Sequence, residues 1–542
     1  MSAEISKTVA GDATSAGTAG IAASDRIPLF RKIMFSVGIN MDYVATGLLT
    51  GTLWMPFFNI GLEIPATALG IILMLLRGWD AFTNPIMGNI SDNTRTRWGR
   101  RRPFIFFGAI VTALIFPAFW HLPGSVADGT SWLAHIADWI PFLSGADISL
   151  RDKAASIYLL IIGMVFFAAF SVWSMPYYGL QLELTPDYDE RTRLTAWMTF
   201  FGKISALFGS WLLLFTIFVG LLALGDPKAL EGKSPFLQQI LSTVQPWIIH
   251  FTNPQSGEKP IVVGMRLVCW IIAVGIICFG LLPALFVKER YYASEAARQT
   301  ADPFWKSIGE SFRCLPLWHL IGVSFFIVLG STSVGALGQY VNFYYVCDGN
   351  LAQGAWITGL KGTATVVAGI VSIPLLTWLG EKFDKRTMIL AMIGTSMVGH
   401  LLNIFLMTPE HPYWQILPGV FEASAIAAVW LFLPSMKADV ADWDEWQTAR
   451  RREGAVNAFY SWFIKASMAL SMGIGGVVLQ ISAFDPKLAI QPGSVLNRMF
   501  LIYLMLPVFI WALAMLSAWF YPLSRARSLQ IRAELEARRG VL

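Results

Sequence analysis

Apolar runs of about 20 residues recur along the whole 542-residue chain, and they limit its possible folds more than any other feature. A helix needs about 20 apolar residues to cross about 30 Å of hydrocarbon. Hydrophobic residues make up 55% of the chain and charged residues only 14%, so most of each run must avoid water. Strands of a membrane barrel would instead alternate polar and apolar residues. We therefore predict an all-α polytopic membrane protein.

The runs predict twelve spanning helices, at 33–58, 66–90, 103–122, 155–183, 195–224, 261–287, 317–346, 355–380, 387–407, 414–437, 455–482 and 498–521. A polar, charged segment at 288–316 divides them into two sets of six. The predicted organisation is a disordered cytoplasmic tail at 1–30, helical bundles at 31–287 and 317–522, a central cytoplasmic loop at 288–316, and a cytoplasmic tail at 523–542.

A weak internal repeat supports this division. Gly88, Asp92 and Arg95 follow the second span of the first half, and Gly380, Asp384 and Arg386 follow the second span of the other half. Two pseudo-symmetric halves are typical of alternating-access carriers, which bind substrate between the halves near the middle of the membrane.

Basic residues collect in alternate loops, for example Arg95–Arg102 and Arg450–Arg452. Such loops face the cytoplasm, so we predict a multi-pass protein of the cell (inner) membrane with both termini inside. The net charge of +5 then reflects topology, and we expect no nucleic-acid partner. The two long loops of the other face, 123–154 and 225–260, are candidates for short interfacial helices.

Four charged residues are predicted to share one layer of the membrane. Counted from the nearest basic loop at 1.5 Å per residue, Asp80 lies about 18 Å deep, Asp42 and Lys203 about 15 Å, and Lys465 about 20 Å. A charge at this depth is costly unless it faces a cavity, a partner or an ion. The layer therefore predicts a site for substrate and cation, with structural ion pairs as the alternative.

Other charges within the spans fall outside this layer. Lys361 and Arg266 lie about 30 Å or more from the basic loops, where their side chains are expected to extend to the outer surface. Glu422 is also closer to that surface. The sequence contains no Ser-His-Asp set, HExxH motif or phosphate loop, so we expect neither an enzyme nor a cofactor apart from a coupling cation.

Several motifs carry a resemblance to a known family. They are WDAFTNPIMG at 79–88, TRTRWGRRRPFI at 94–105, MPYYGLQLELTPDYDERTRLTAW at 175–197, KADVADWDEWQTARRREG at 437–454, and Lys465. Together they resemble the glycoside–pentoside–hexuronide cation symporters, the melibiose permease group of the major facilitator superfamily. The resemblance implies twelve helices in two pseudo-symmetric halves and cation-coupled symport of a sugar or glycoside by alternating access.

By this resemblance, Asp80 is the essential acid that binds the coupling cation. Thr83, Asn84 and Ser171 fall at neighbouring cation positions, and Lys465 resembles the lysine that pairs with the cation-site acids. Melibiose permease has a second aspartate where Asn84 stands, so a proton is favoured over sodium. Asp80 would be a metal ligand only in a sodium-coupled protein.

The resemblance also implies a substrate site, at Asp42, Ser174, Tyr178, Thr199, Lys203 and Trp430. Asp42 would accept sugar hydroxyls, and Tyr178 and Trp430 would supply aromatic faces. Ser174 replaces a sugar-binding aspartate, and Thr199 lies where a sugar-binding arginine is expected. Lys203, one turn further along the same face, could substitute for that arginine. The sugar is therefore not expected to be melibiose-like.

The arginine-rich loop between the second and third spans resembles the gate motif of the superfamily, with Asp92, Arg95, Arg100 and Arg101 as its residues. An amphiphile carrier of the same fold, for example for a lysolipid, is the main alternative to a sugar symporter. A non-transporting sensor or membrane enzyme is a further alternative. A monomer in the lipid bilayer is the expected state.

Overall fold

The computed structural model describes residues 26–289, 312–448 and 453–539, apart from 142, 145–147, 186–187 and 489. The predicted tail up to residue 25 and most of the central loop lie outside these ranges. The described part is helical and contains no strand. Its twelve long helices are α1 Leu29–Gly61, α2 Ala66–Asn93, α3 Arg102–Trp120, α4 Leu150–Glu183, α5 Tyr188–Leu224, α6 Pro260–Phe286, α7 Leu315–Val346, α8 Leu351–Lys382, α9 Lys385–Leu401, α10 Ile416–Leu431 continued by Leu433–Thr448, α11 Glu453–Ile481 and α12 Gly493–Trp519.

Eleven of these helices, within the described residues, are long and apolar enough to cross a membrane. The exception is α10, which is interrupted at Phe432 and therefore has no single apolar stretch of sufficient length. Its position still agrees with the tenth predicted span, 414–437. The all-α, twelve-helix prediction is confirmed.

The helices form two bundles with separate cores. Most of the first core comes from α1–α6 and most of the second from α7–α12. Four side chains of the first half, Ile60, Leu213, Ile217 and Ile261, pack in the second core. All four lie in the parts of their helices that are farther from the arginine-rich loop. We call the side with that loop the basic face and the other side the opposite face.

Helix α1 is less regular than predicted. From Tyr43 to Leu53 and from Met55 to Gly61 it is wound in wide π-helical turns, in which an N–H bonds five residues back. The last turns of α7, Val341–Val346, are wound in the same way. Such turns are rare and often occur at functional sites. In α1 they begin immediately after Asp42.

The two halves meet from the middle of the membrane to the opposite face. Between α2 and α11, the Thr67 hydroxyl lies 2.6 Å from Oε1 of Gln480. Between α5 and α8, the indole of Trp211 donates to the Thr363 hydroxyl at 3.0 Å. The Tyr340 hydroxyl of α7 donates to Oδ1 of Asn59 in α1 at 2.7 Å. The structure is therefore a state closed at the opposite face.

Both long loops of the opposite face contain helices, as expected. The first has short helices at Gly124–Ala127 and Leu133–Ala137, and the second has an 18-residue helix at Pro235–Thr252. The last helix leaves Phe236, Ile240 and Trp247 exposed. This apolar surface is typical of a helix in the membrane interface.

The predicted C-terminal tail contains a helix, α13, at Arg525–Arg539. It packs against the basic-face end of α10. The indole of Trp446 donates to Glu534 at 2.6 Å, and the Arg527 guanidinium lies 5.1 Å from the centre of the Trp446 ring. The tail is thus attached to the second half.

The internal repeat is not exact in three dimensions. Gly88 lies within α2, which continues to Asn93 and includes position 92. In the second half, α8 ends at Lys382, and Asp384 directly precedes α9. The same residue spacing therefore lies within one helix in the first half and at the junction of two helices in the second half.

Candidate functional site

One face of α2 carries three of the predicted cation-site residues. Asp80, Thr83 and Asn84 are spaced i, i+3 and i+4, which places them on the same side of a helix. All three are buried, with 6%, 8% and 5% of their surface exposed. Oδ1 of Asp80 and Oδ1 of Asn84 have no hydrogen-bond partner among the described residues. Buried oxygens usually have a hydrogen-bond partner, so these two are candidate ligand atoms for a water molecule or an ion.

A face of α4 completes this group. Ser171, Ser174 and Tyr178 follow one another at i, i+3 and i+7, again on one side of the helix. The hydroxyl oxygens of Ser171 and Thr83 are 2.8 Å apart, so the two faces are in contact. The hydroxyl of Ser174 is buried and also lacks a partner in the described part of the chain. The result is a group of oxygen atoms, the donors that hard cations prefer.

Lys465 of α11 reaches this group from the other half of the protein. Its Nζ lies 3.5 Å from Oδ2 of Asp80, with 35% of the lysine side chain and 9% of the aspartate side chain exposed. A cation bound to Asp80 would compete with this ion pair. Because the pair spans the two halves, its strength depends on how they are arranged.

Asp42 is bonded within the first half. The Tyr178 hydroxyl donates to its Oδ2 at 2.5 Å, and the Thr46 hydroxyl to its Oδ1 at 3.0 Å. Asp42 is half-buried and is the last residue of α1 before the wide turns. Tyr178 lies on the same face of α4 as Ser171. This face therefore connects the predicted substrate acid with the predicted cation site.

The remaining substrate-site residues are less closely associated. Lys203 is half-buried and has no hydrogen bond or ion pair among the described residues, and its Nζ approaches Gly369 of α8. Asp42 and Lys203 therefore do not pair in this state. Thr199 is exposed, and its hydroxyl donates to the carbonyl of Thr195 at 2.9 Å. The side chain of Trp430 lies outside the described residues.

Some aromatic residues at the same depth are packing residues. Trp173 and Tyr177 are fully buried, and Tyr177 is stacked between Trp173 and Phe35. The indole of Trp79 donates to the carbonyl of Met164 at 2.9 Å. These rings hold α1, α2 and α4 in place and are poor candidates for direct sugar contacts.

Comparison with known proteins identifies the family of this chain. A family model described as MFS/sugar transport protein matches residues 35–525. The chain belongs to this family. The expected resemblance to sugar symporters of the major facilitator superfamily is therefore confirmed, and the protein is a transporter rather than an enzyme.

Individual relatives are distant but span nearly the whole chain. The glucuronide carrier protein homolog of Escherichia coli (strain K12) is 24% identical, over 88% of this chain and 89% of its own. The sodium-dependent lysophosphatidylcholine symporter 1 of Mus musculus is 22% identical, over 95% and 89%. Among solved structures, an inward-facing, unoccupied bacterial homolog of the human lysosomal transporter Spinster has a TM-score of 0.55 at 14% identity, covering 96% of this chain and 100% of its own. That likeness concerns the fold alone.

The predicted gate of this MFS/sugar transport protein has an additional residue, Glu289, just after α6. Its carboxylate accepts backbone N–H groups of Arg100, Arg101 and Arg102 at 2.9, 2.7 and 3.3 Å. Negative charge at a helix N-terminus is stabilising, and α3 begins at Arg102. Glu289 lies 187 residues after Arg102, and no local pattern in the sequence indicates this contact.

The arginines of the gate differ in burial. Arg100 and Arg101 are buried, whereas Arg95 is exposed. The Arg101 guanidinium packs directly on Gly179 of α4, where a Cβ would come 1.8 Å from Nη1. Of Asp92, only the backbone, within α2, is described. The loop is thus fixed to α4 and α6 of its own half.

One prediction about Lys361 is wrong. Its side chain does not extend to the outer surface, because its Nζ forms an ion pair with Glu422 of α10 at 3.1 Å. A buried carboxylate is strongly destabilising without a charged partner, which explains the orientation. Arg266, by contrast, binds Glu258 and the end of the Pro235–Thr252 helix, at the opposite face. The sequence does place Lys361 and Glu422 at a similar depth near the outer surface, and this shared depth is the feature that could have predicted their ion pair.

Proposed function

We propose that this protein is a secondary active transporter that carries a sugar or glycoside together with a cation by alternating access. The observation that supports this most is the set of polar groups on the adjoining faces of α2 and α4, which runs from Asp42 and Tyr178 to Asp80 and its ion pair with Lys465. It joins a half-buried acid suited to hydroxyl groups with a buried acid suited to a cation. It also ends in an ion pair between the two halves.

In the proposed cycle, the cation binds Asp80 and weakens its ion pair with Lys465. The sugar binds between the halves, where Asp42 accepts its hydroxyls and Lys203 is available to donate. Each ligand favours the arrangement in which the other binds well, so the coupling is reciprocal. Rocking of the halves then opens the site to the other side of the membrane.

We propose a proton as the coupling cation, because the site has one carboxylate and Asn84 stands where a second would be expected. Protonation of Asp80 would neutralise it and free Lys465. Sodium is the second candidate, favoured by the unpartnered oxygens of Asp80, Asn84 and Ser174. Uptake of labelled glycosides into proteoliposomes, under an imposed pH or sodium gradient, separates the two.

The Asp80→Asn variant tests the site. It should lose gradient-driven accumulation while retaining exchange of labelled for unlabelled substrate across the membrane. Asp348→Asn is the control, because Asp348 is exposed in a loop of the opposite face, in a backbone conformation that asparagine also adopts. Accumulation by Asp80→Asn that still responds to both gradients would exclude Asp80 as the coupling residue.

A lysolipid is the second candidate cargo, favoured by similarity to the mouse lysophosphatidylcholine symporter over 95% of the chain. Competition of lysolipid with labelled glycoside in the same vesicles distinguishes the two. We further propose that the protein is a monomer in the cell membrane, with the basic face and both termini in the cytoplasm. Labelling of single cysteines on the two faces of intact cells tests this orientation.

A further inference from the structure

A second buried charged cluster lies in the second half, apart from Asp80 and Lys465. Its centre is Glu422 of α10, of which 7% is exposed. Oε2 of Glu422 pairs with Lys361 of α8 at 3.1 Å. Oε1 lies 2.7 Å from Nδ1 of His400 in α9, 2.7 Å from Nδ2 of Asn403, and 3.4 Å from the Tyr503 hydroxyl of α12. The transport site described above uses none of these residues.

The contacts of His400 determine how many protons this cluster holds. The ring is fully buried, and its Nε2 lies 2.9 Å from the backbone carbonyl oxygen of Tyr503. A carbonyl oxygen only accepts, so Nε2 carries a hydrogen. Nδ1 faces a carboxylate oxygen of Glu422 at 2.7 Å. With a neutral ring and an ionised carboxylate, two lone pairs would face each other at this distance, so one further proton must lie between them.

We propose that His400 and Glu422 form a proton-binding site in the second half, separate from Asp80. With its proton bound, the site is an imidazolium that bridges the Tyr503 carbonyl and the Glu422 carboxylate. Lys361, Glu422 and His400 then carry a net charge of +1. Release of the proton leaves Lys361 and Glu422 as a neutral ion pair and removes the hydrogen bond at Nδ1.

Few other ionisable groups surround the cluster among the residues that the structure describes. From α12, the Tyr503 hydroxyl faces Glu422, and the ring of Trp511 packs nearly perpendicular to that of His400. Helix α7 also packs on α10, and the hydroxyl of its Tyr340 is bonded to Asn59 of α1. In the described part of the chain, Glu422 also contacts the charged side chain of Lys361. Lys361 opposes proton binding to His400, whereas Glu422 favours it.

The position of the cluster connects it to the contact between the halves. Gly359 and Thr363, one turn apart on α8, pack on Trp211 of α5. Lys361 lies two residues from each of them, on the side of α8 that faces Glu422 of α10. Gain or loss of the proton changes the net charge of the cluster that ties this side of α8 to α10. The site is therefore placed to affect the closed state at the opposite face through the position of α8.

Nuclear magnetic resonance of the full-length protein, labelled with ¹⁵N at histidine, tests the proposal directly. The His400→Gln variant identifies the signal among the six histidines, with His411→Gln as the control because His411 is exposed. If His400→Gln does not fold, variants that each lack one of the other five histidines assign the signal instead. We expect both ring nitrogens of His400 to carry a hydrogen while the proton is bound, and a pH titration to remove the hydrogen at Nδ1. A ring that never carries both hydrogens, or never loses one, over the pH range in which the protein stays folded would overturn the proposal.

Two variants should move the midpoint of this titration in opposite directions. Glu422→Gln keeps an oxygen near Nδ1 but removes its charge, so the proton affinity of His400 should fall by roughly tenfold or more. Lys361→Met removes the competing cation, so the affinity should rise. In Asp80→Asn the titration should be unchanged, which separates this site from the proposed coupling site. Shifts in the same direction for the first two variants, or a titration that disappears in Asp80→Asn, would contradict the assignment.

Discussion

A single methyl group at Gly476 should shift the balance between the transport states. Gly476 of α11 packs against Ala66 and Gly70 of α2, near the opposite face. A Cβ at position 476 would lie 2.3 Å from the carbonyl oxygen of Ala66 and 3.2 Å from Cα of Gly70. Both neighbours are backbone atoms, which cannot rotate away as a side chain would. Gly476→Ala therefore forces α2 and α11 apart.

The size of the effect follows from this geometry. Overpacking of a close contact costs about 1–3 kcal/mol. The strain exists only while α2 and α11 touch, so the ratio of closed to open molecules at the opposite face should fall by roughly 5- to 150-fold. Alanine also favours a helix over glycine by about 1 kcal/mol, but this term is present in both states and cancels.

Distances between two spin labels, measured by pulsed electron paramagnetic resonance, give the populations of the closed and open states at the opposite face. Spin labels replace Lys228 and Lys487, which are exposed at the opposite face in different halves, in a background without the four native cysteines. Gly476→Ala should convert much of the short-distance population to a longer one. Gly475→Ala is the matched control, because its Cβ would lie 3.5 Å from Cβ of Ala336, an ordinary contact. An unchanged distribution in Gly476→Ala, or an equal change in Gly475→Ala, would refute the reasoning.

Two further predictions concern other contacts of the first half. Tyr178→Phe removes a hydrogen bond to the Asp42 carboxylate worth about 1.5–3 kcal/mol, so the apparent substrate affinity should fall about tenfold or more in transport assays. Tyr158→Phe, which removes a hydrogen bond to the backbone carbonyl of Ala118, is the control and should have little effect. Burial raises the pKa of Glu190, but the hydrogen bonds from Lys32 and from the N–H of Ile27 lower it more, and the net pKa lies below the usual 4.5. A carboxyl group whose pKa is lower in the folded than in the unfolded chain stabilises the fold at any pH above the unfolded pKa. The melting temperature of the wild type should therefore exceed that of Glu190→Gln at pH 7, and the difference should shrink below pH 4.5. A difference that grows on acidification would contradict this assignment.

The spans could be predicted because burial in hydrocarbon requires length and apolarity, and both are visible in the sequence. The breaks within them could not. The interruption of α10 at Phe432 and the wide turns of α1 after Asp42 depend on how neighbouring helices pack. Helix α1 begins at Leu29, four residues before the predicted span, because the basic Arg31 and Lys32 in its first turn conceal its beginning.

Depth counting placed Asp80 and Lys465 in one layer because both positions can be measured along the helix axis from a basic loop, and the family resemblance implied that they pair. It could not show which side of a helix a residue faces at a given depth. Asp42 and Lys203 share a depth, yet Asp42 binds Tyr178 and Lys203 points toward α8. To predict which charges pair within a membrane layer, one must know how each helix is oriented about its own axis, and tertiary packing determines that orientation.

The two charged clusters should respond differently to the transport cycle. Asp80 and Lys465 belong to different halves, so any rocking of the halves changes their 3.5 Å separation and the energy of their ion pair. Glu422, Lys361 and His400 all belong to the second half, so a rigid movement of the halves leaves their contacts intact. A shift of α8, α9 or α10 within their own bundle is needed to change them. The first cluster is therefore suited to couple ion binding to the alternation itself, and the second to adjust how firmly α8 closes against α5.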